Sequence, residues 1–380
     1  MSKGKLFTAL ALAGTMTAAI MSSAAVMAQD RMLRVAPAAP PAHPANGVLY
    51  TNLIEYLPEE SDGRLGGTMI GPEVVNLSQM KDALQSQVVE VGNLLPLYFP
   101  ADLPNMALAG ELSLVGTNSQ AMAAAMTEYM VNCEPCQQEL RDFGVVFLGA
   151  GASDVYEILS TEPVRTAEDL AGLRLRSGGS PWGRFAEHFG AVPTQMSVFD
   201  QFEGISQGVI DGTMASIADL VSFRLVEVVD YVTLVPLGTY HATSNFTVAA
   251  ATWDSLSVED RAALARAANR ANADFTDRWG REMPAEAEAA ALEAGIEIIE
   301  ADPSLVEAIE AFVQDDIVTA GQLSQDNFGI ADAPERVQTF LDLVEKWEAI
   351  AEEVDNDPEA MAERVYEEVW SQVDFSTYGT

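Results

Sequence analysis

Leu173-Arg174-Leu175-Arg176-Ser177-Gly178-Gly179-Ser180-Pro181 reads as a short strand that carries two arginines and runs out into glycines. Residues two apart in a strand share a face, so Arg174 and Arg176 project the same way. Arg176 falls at the strand's C-terminal end, the edge of an α/β sheet where ligands bind. A guanidinium there can clamp a planar carboxylate through two parallel hydrogen bonds. The plainer reading is a pair of surface or edge-strand charges, one of them matched to an acid.

Around this strand, short β-rich runs alternate with helical stretches. Strands are expected at Met32–Ala36, Gly67–Ile70, Val88–Leu95, Val145–Gly149, Glu157–Leu159, Leu173–Arg176, Gly208–Ala215, Tyr231–Leu234 and Asn245–Ala250, with helices at Val48–Tyr56 and Leu77–Gln87. This βαβ rhythm builds largely parallel sheets. From Val258 onward the pattern turns helical, with Ala-rich amphipathic stretches at 258–294 and 334–353. No apolar heptad persists long enough for a coiled coil, and Pro284, Pro303, Pro334 and Pro358 are expected to divide the stretch.

The chain has 380 residues, 20 Lys+Arg and 57 Asp+Glu, giving a formal charge of −37. That balance argues against nucleic acid, which demands clustered cations, and against an anionic membrane surface. At 48% hydrophobic and 20% charged residues the chain is globular. Its length favours two lobes over one enlarged core.

Residues 1–28 read as an export signal: Lys3 and Lys5, an apolar stretch from Leu6 to Ile20, and a small-residue site ending at Ala28. Cleavage near Ala28 would leave a soluble protein outside the inner membrane, without direct membrane insertion. Both cysteines lie in Cys133-Glu134-Pro135-Cys136, which reads as a local disulfide or, given a strand and a helix opened by the first Cys, as a redox pair. A zinc site lacks ligands, since His43, His188 and His241 are scattered.

Enzyme and cofactor signals are weak. There is no G-x-S-x-G elbow and no phosphate-binding G-x-x-x-x-G-K-[ST] loop. Gly149-Ala150-Gly151-Ala152 would need a third glycine where Asp154 stands, and Asp355-Asn356-Asp357-Pro358-Glu359 lacks the glycine of a calcium loop. We therefore expect no enzyme, no cofactor and no metal.

Five segments stand in a particular order. They are Glu162-Pro163-Val164-Arg165-Thr166-Ala167-Glu168-Asp169-Leu170-Ala171-Gly172-Leu173-Arg174-Leu175-Arg176, Phe189-Gly190-Ala191-Val192-Pro193, Gly208-Val209-Ile210-Asp211-Gly212, Val226-Glu227-Val228-Val229-Asp230-Tyr231-Val232-Thr233 and Trp253-Asp254-Ser255-Leu256. Their order resembles the solute-binding proteins of tripartite ATP-independent periplasmic (TRAP) transporters, of the dicarboxylate-binding DctP type. His43-Pro44 and the helix at 77–87 extend the likeness.

The resemblance implies an α/β fold: a two-lobed periplasmic binding protein with a double crossover and long bracing helices. It implies lobe one at 29–153 plus 241–281 and lobe two at 154–240 plus 282–353; the acidic, Pro-interrupted composition of 354–380 separately reads as a C-terminal appendage, expected to dock loosely. It also implies a receptor in the periplasm that closes on a small carboxylate and delivers it to the membrane permease subunits. Arg176 would hold the carboxylate.

Departures from the family bear on the ligand. The amide common after the Asp-Gly pair is absent at Ala215, beside Ser216; Tyr156 stands where sugar-acid binders have a second arginine; and the first strand ends in Ala36-Pro37-Ala38. The expected contacts are therefore Arg176 with Tyr98, Tyr156, Trp182 and Phe199, together with Ala215, Ser216 and Asn245; Phe202 is a further aromatic near Phe199. An organic acid with an apolar or keto tail fits this set best. The alternatives are an ectoine-like zwitterion held on aromatic faces, a periplasmic redox protein using Cys133 and Cys136, and a sensor passing its signal to a membrane kinase.

Overall fold

A computed structural model of the chain describes Met1 and residues 31–380; the expected export signal and its cleavage point near Ala28 lie outside these residues, Met1 apart. The strands are β1 (Arg31–Ala36), β2 (Leu65–Met69), β3 (Val91–Leu94), β4 (Val145–Phe147), β5 (Tyr156–Ser160), β6 (Arg174–Ser177), β7 (Val192–Gln195), β8 (Gly212–Ser216), β9 (Tyr231–Leu234), β10 (Ser244–Ala249) and β11 (Glu297–Glu300). They form two sheets, one per lobe. The first has the order β2-β1-β3-β10-β4 and the second β11-β9-β5-β8-β6-β7.

Neighbouring strands run parallel except at β10 and β5, each of which opposes both of its neighbours. These two are the first strands reached after the chain changes lobe, β4 to β5 going out and β9 to β10 coming back. A strand entered from the other lobe, and not through a helix packed on its own sheet, arrives pointing the opposite way. The double crossover follows, and the sheets are less uniformly parallel than the βαβ rhythm implies. Edge strands β7 and β11 carry little strand signal: β7 holds Pro193, tolerated at a sheet edge, and β11 is Glu-Ile-Ile-Glu with charged ends.

Helix Val258–Asp277 continues through a wider π-helical turn, Arg278–Glu282, into helix Met283–Ala294. This rod carries the chain from the first lobe to β11 in the second. Pro284 does not divide it, because the π turn just upstream absorbs the proline that an uninterrupted α-helix would resist. Pro303, Pro334 and Pro358 each sit in the first turn of a new helix, where a missing N–H leaves no bond unmade. Helix Pro303–Phe328 packs against helix Pro104–Gly110 of the first lobe and helix Ser180–His188 of the second, so it braces both.

A buried ion network reinforces the brace. Arg184 donates from Nε to Asp316 Oδ1 at 2.6 Å and from Nη1 to Glu111 Oε2 at 2.5 Å. First lobe, second lobe and brace thus meet at one guanidinium.

The segment after Glu353, expected to dock loosely, is instead firmly packed. Helix Pro358–Glu368 lies along Val258–Asp277, and Asn269 Nδ2 donates to the carbonyl of Ala362 at 2.7 Å. Trp253 Nε1 donates to the carbonyl of Tyr378, and the Tyr378 hydroxyl donates to that of Phe147, both at 2.8 Å. Acid-rich composition concealed the apolar anchors Met361, Val365 and Trp370. Because Trp370 is fully enclosed, Trp370→Ala should lower unfolding stability by about 3–5 kcal/mol in urea titrations; a change below about 0.5 kcal/mol would show that the tail is not docked.

Candidate functional site

Strand β6 pairs Arg176 with Thr194 of β7 and Thr213 of β8, which places its guanidinium at the inner end of the second sheet. Arg174 shares its face but lies at the outer end, where Nε reaches Asp211 Oδ2 at 3.0 Å. Arg174 is therefore the matched surface charge of the plainer reading. Arg176 is not.

Arg176 is 2% exposed. Its Nε donates to the Met196 carbonyl at 3.1 Å and its Nη2 to the Tyr98 hydroxyl at 3.4 Å, while Nη1 is buried without a partner. Tyr98 follows β3 in the first lobe, and its hydroxyl also accepts the Val198 N–H at 3.1 Å. One phenol thus spans the cleft to two second-lobe groups. The glycines after β6 make room: a Cβ on Gly178 would lie 3.3 Å from Arg176 Nη1, and one on Gly179 would lie 2.7 Å from Leu97 Cδ1 across the cleft.

A cavity of about 50 Å³ lies between the lobes, bounded by Arg176 and Asp219 on one side and by Asn93 and Asn245 on the other. Tyr98, Tyr156, Tyr240, Phe223, Phe275 and Trp279 supply aromatic wall. Besides Arg176 Nη1, buried atoms of this wall without a partner are Tyr240 Oη, Trp279 Nε1, Asn93 Oδ1 and Asn245 Oδ1. A larger surface cleft of about 740 Å³ lies beside helix Pro358–Glu368, but its arginines are spent: Arg266 pairs with Glu60, and Arg270 with Glu59 and Glu60.

Of the residues expected at the site, Arg176, Tyr98, Tyr156 and Asn245 line the cavity. Trp182 stands behind it, stacked on Tyr240 at 5.4 Å and 6° with its N–H tied to the Leu237 carbonyl at 3.0 Å. Phe199 meets Phe223 edge-on at 5.7 Å, and Phe202 lies under Arg224; neither reaches the wall. Ala215 and Ser216 are buried in β8 off the cavity, Ser216 Oγ accepting the Ala218 N–H at 3.0 Å. The amide missing at Ala215 therefore bears less on the ligand than the sequence suggests. Sequence reasoning passed over Asn93, Asp219, Phe223, Tyr240 and Trp279, which come from separate elements and share no local motif.

Charge at the cavity is sparse. Burial pushes the Asp219 carboxyl up to about 6, opposed by hydrogen bonding from Gln201, by the Arg176 charge and by Ser222. Its oxygens accept from Gln201 Nε2 at 3.0 Å and Ser222 Oγ at 3.1 Å. Burial also drives His43 down to about 3, so it is neutral, with Nδ1 accepting the Ala45 N–H at 3.1 Å. The same cause raises the Tyr156 and Tyr240 hydroxyls well above their usual range. Arg176 is the one cation among the cavity's lining residues.

No cluster of His, Cys, Asp and Glu among the described residues could hold a metal ion. Cys133 and Cys136 form a disulfide. Cys133 caps helix Glu134–Phe143, as the redox reading requires, but helix Ser119–Asn132 precedes it where a strand is needed.

The family model for bacterial extracellular solute-binding proteins, family 7 (DctP), matches residues 36–318. The chain belongs to that family. A curated relative from Chromohalobacter salexigens, named a solute-binding protein, is 29% identical over 159 residues, 41% of this chain and 45% of the relative, so the chain spans less than half of that relative's length. Among solved structures, a marine metagenome TRAP solute-binding protein specific for aromatic acid ligands, in complex with 3-hydroxybenzoate, is similar with a TM-score of 0.75 and 23% identity, over 84% of this chain and 99% of that one. A TRAP periplasmic solute-binding protein from Bordetella bronchiseptica with bound (R)- and (S)-mandelate has a TM-score of 0.72 and 22% identity, over 83% and 99% respectively. These likenesses establish that the family 7 chain has the two-lobed fold of TRAP binding proteins.

Asp219 offers a check on the electrostatics of this family 7 site. Its folded pKa of about 6 exceeds the ordinary 3.8, so the native protein retains a proton that the unfolded chain has lost between those values. Stability is therefore undiminished below pH 4 and falls as pH rises through 6. Relative to Asp219→Asn, the ligand-free parent should lose about 2 kcal/mol between pH 4 and 7, read from denaturant titrations at each pH. Parallel pH profiles for the two proteins would contradict this electrostatic picture.

Proposed function

We propose that this family 7 protein is a periplasmic receptor that captures a small organic acid on Arg176 and delivers it to a TRAP permease. The observation that carries the reading is Arg176 Nη1, a buried cationic donor without a partner at the wall of an interlobe cavity. A desolvated guanidinium with an unused N–H is costly unless an acceptor reaches it. A carboxylate supplies both the acceptor and the opposite charge, each such hydrogen bond contributing about 1.5–3 kcal/mol.

The ligand class follows from what surrounds that charge. Six aromatic side chains border the cavity, which suits an acid with an apolar or aromatic body over a sugar acid dense in hydroxyls. The aromatic acids in the 3-hydroxybenzoate and mandelate complexes support the same choice. A zwitterion is less favoured, since Asp219 is the one carboxylate among the cavity's lining residues and stands on the same lobe as Arg176.

A ligand that touches both lobes stabilises the closed arrangement by its differential contacts. The permease would then read closure. The export signal at 1–28 would place the receptor in the periplasm, and no helix among the described residues is long and apolar enough to cross a membrane.

A thermal-shift screen of mature protein against aromatic monocarboxylates, keto acids, dicarboxylates, sugar acids and zwitterionic solutes tests the reading. At least one acid should raise the melting temperature of the parent, and Arg176→Gln should bind that acid about 10- to 150-fold more weakly. Equal affinity in parent and variant would remove Arg176 from the site.

A further inference from the structure

We propose that the ligand carries, remote from its carboxylate, a neutral hydrogen-bond donor, a hydroxyl or an amide N–H, received by the side-chain oxygens of Asn93 and Asn245. The proposal rests on the reading of Arg176 as the carboxylate's partner and adds what the opposite end of the cavity demands.

Asn93 lies on β3 and Asn245 on β10, and the two strands pair antiparallel through Ser244 and Leu94. The asparagines therefore occupy adjacent strands of the first sheet, facing a cavity whose arginine belongs to the second. Asn93 is 6% exposed, Asn245 is fully buried, and the Oδ1 atom of each is buried without a partner.

Their neighbours fix which amide atom is presented. Asn272 Nδ2 donates to the Leu148 carbonyl at 3.4 Å, which leaves Asn272 Oδ1 to accept from Asn245 Nδ2 at 2.7 Å. Turning the Asn245 amide over would set two oxygens against each other. Asn93 Nδ2 points at the Pro37 carbonyl at 3.5 Å, and a flip there creates the same clash. Both residues consequently present acceptors to the cavity.

An acceptor is satisfied only by a donor. A carboxylate with a purely apolar tail reaches Arg176 and leaves these oxygens buried without a donor. Sites built to receive an O–H or N–H reject analogues that lack it far more strongly than apolar pockets reject a missing methylene.

Neutrality of the donor follows from the charges. Of the acidic and basic lining residues, Asp219 and Arg176 both stand on the second lobe, and His43 is held neutral. No carboxylate on the wall faces an ammonium from the asparagine side. The unpartnered Trp279 Nε1 on the same wall adds a donor, so a hydroxyl, which gives and accepts at once, suits the mixture best.

Calorimetric titration of the mature protein with matched acids tests this. The probes are benzoate against 3-hydroxybenzoate, phenylacetate against 3-hydroxyphenylacetate, and butyrate against 4-hydroxybutyrate and 4-aminobutyrate. In at least one series the hydroxy acid should bind about 10-fold or more tightly than its parent acid. Asn93→Leu should abolish that preference by weakening the hydroxy acid about 10-fold or more, while the hydroxyl-free acid binds at least as tightly as it does to the parent protein, a result that misfolding would not give. Asn245→Leu serves as the second variant, with the same expected loss.

Binding of acids without any hydroxyl preference, or a preference that survives both variants, would overturn the inference while leaving the Arg176 reading intact. Preference for 4-aminobutyrate over 4-hydroxybutyrate would overturn the neutral donor. Failure of every acid to bind, with Arg176→Gln behaving as the parent, would overturn the receptor reading on which the inference stands.

Discussion

A cation removed from water with one donor unmatched is the constraint around which this protein is arranged. Arg176 keeps Nε on the Met196 carbonyl and Nη2 near the Tyr98 phenol, and Nη1 has no protein acceptor. Such a group is tolerated only where surrounding structure over-determines its place. Here that structure is a strand end, two glycines that let the guanidinium and the opposite lobe approach, and an aromatic wall that gives it no alternative partner. The contrast with Arg184 is instructive, because that half-buried arginine binds Glu111 and Asp316 and so serves as a brace. One arginine is satisfied by the protein; the other keeps a donor atom without a protein acceptor.

Topology determines why the unmatched group faces a cleft. Each time the chain changes lobe it enters the new sheet reversed, at β5 and then at β10, and both crossing strands begin beside the cavity with Tyr156 and Asn245. The long rod of residues 258–294 contributes Phe275 and Trp279 as it passes between the lobes. The cavity's lining residues therefore come from segments of both lobes. A ligand bridging Arg176 with the first lobe couples its own binding to that closure.

Much of the fold was legible because strands such as β1, β9 and β10 are short apolar runs between turn signals. Strands β7 and β11 were not, since an edge strand needs only one apolar face and these two carry Pro193 or flanking glutamates. Arg176 was legible from its strand, its glycines and the scarcity of cations around it. Trp182 and Phe199 were chosen on aromatic character alone, which does not distinguish a side chain that lines a cavity from one that supports it. Asn93, Asp219, Tyr240 and Trp279 carried no signal because their proximity is made entirely by tertiary structure. The C-terminal segment was misjudged for a related reason: composition reports the exposed glutamates, while burial depends on a few apolar anchors such as Trp370.

The surface charge of −37 and the single cavity arginine act over different ranges. Salt screens the acidic exterior within about 8–10 Å, whereas inside the cleft the guanidinium acts at contact distance in a poorly solvated space. The most direct measurement is therefore a crystal structure of the mature protein with a bound acid. A carboxylate oxygen is expected within hydrogen-bond distance of Arg176 Nη1, with both lobes touching the ligand. An acid bound elsewhere, with Nη1 still unpartnered or met only by water, would contradict the assignment of Arg176 as the group that holds the ligand.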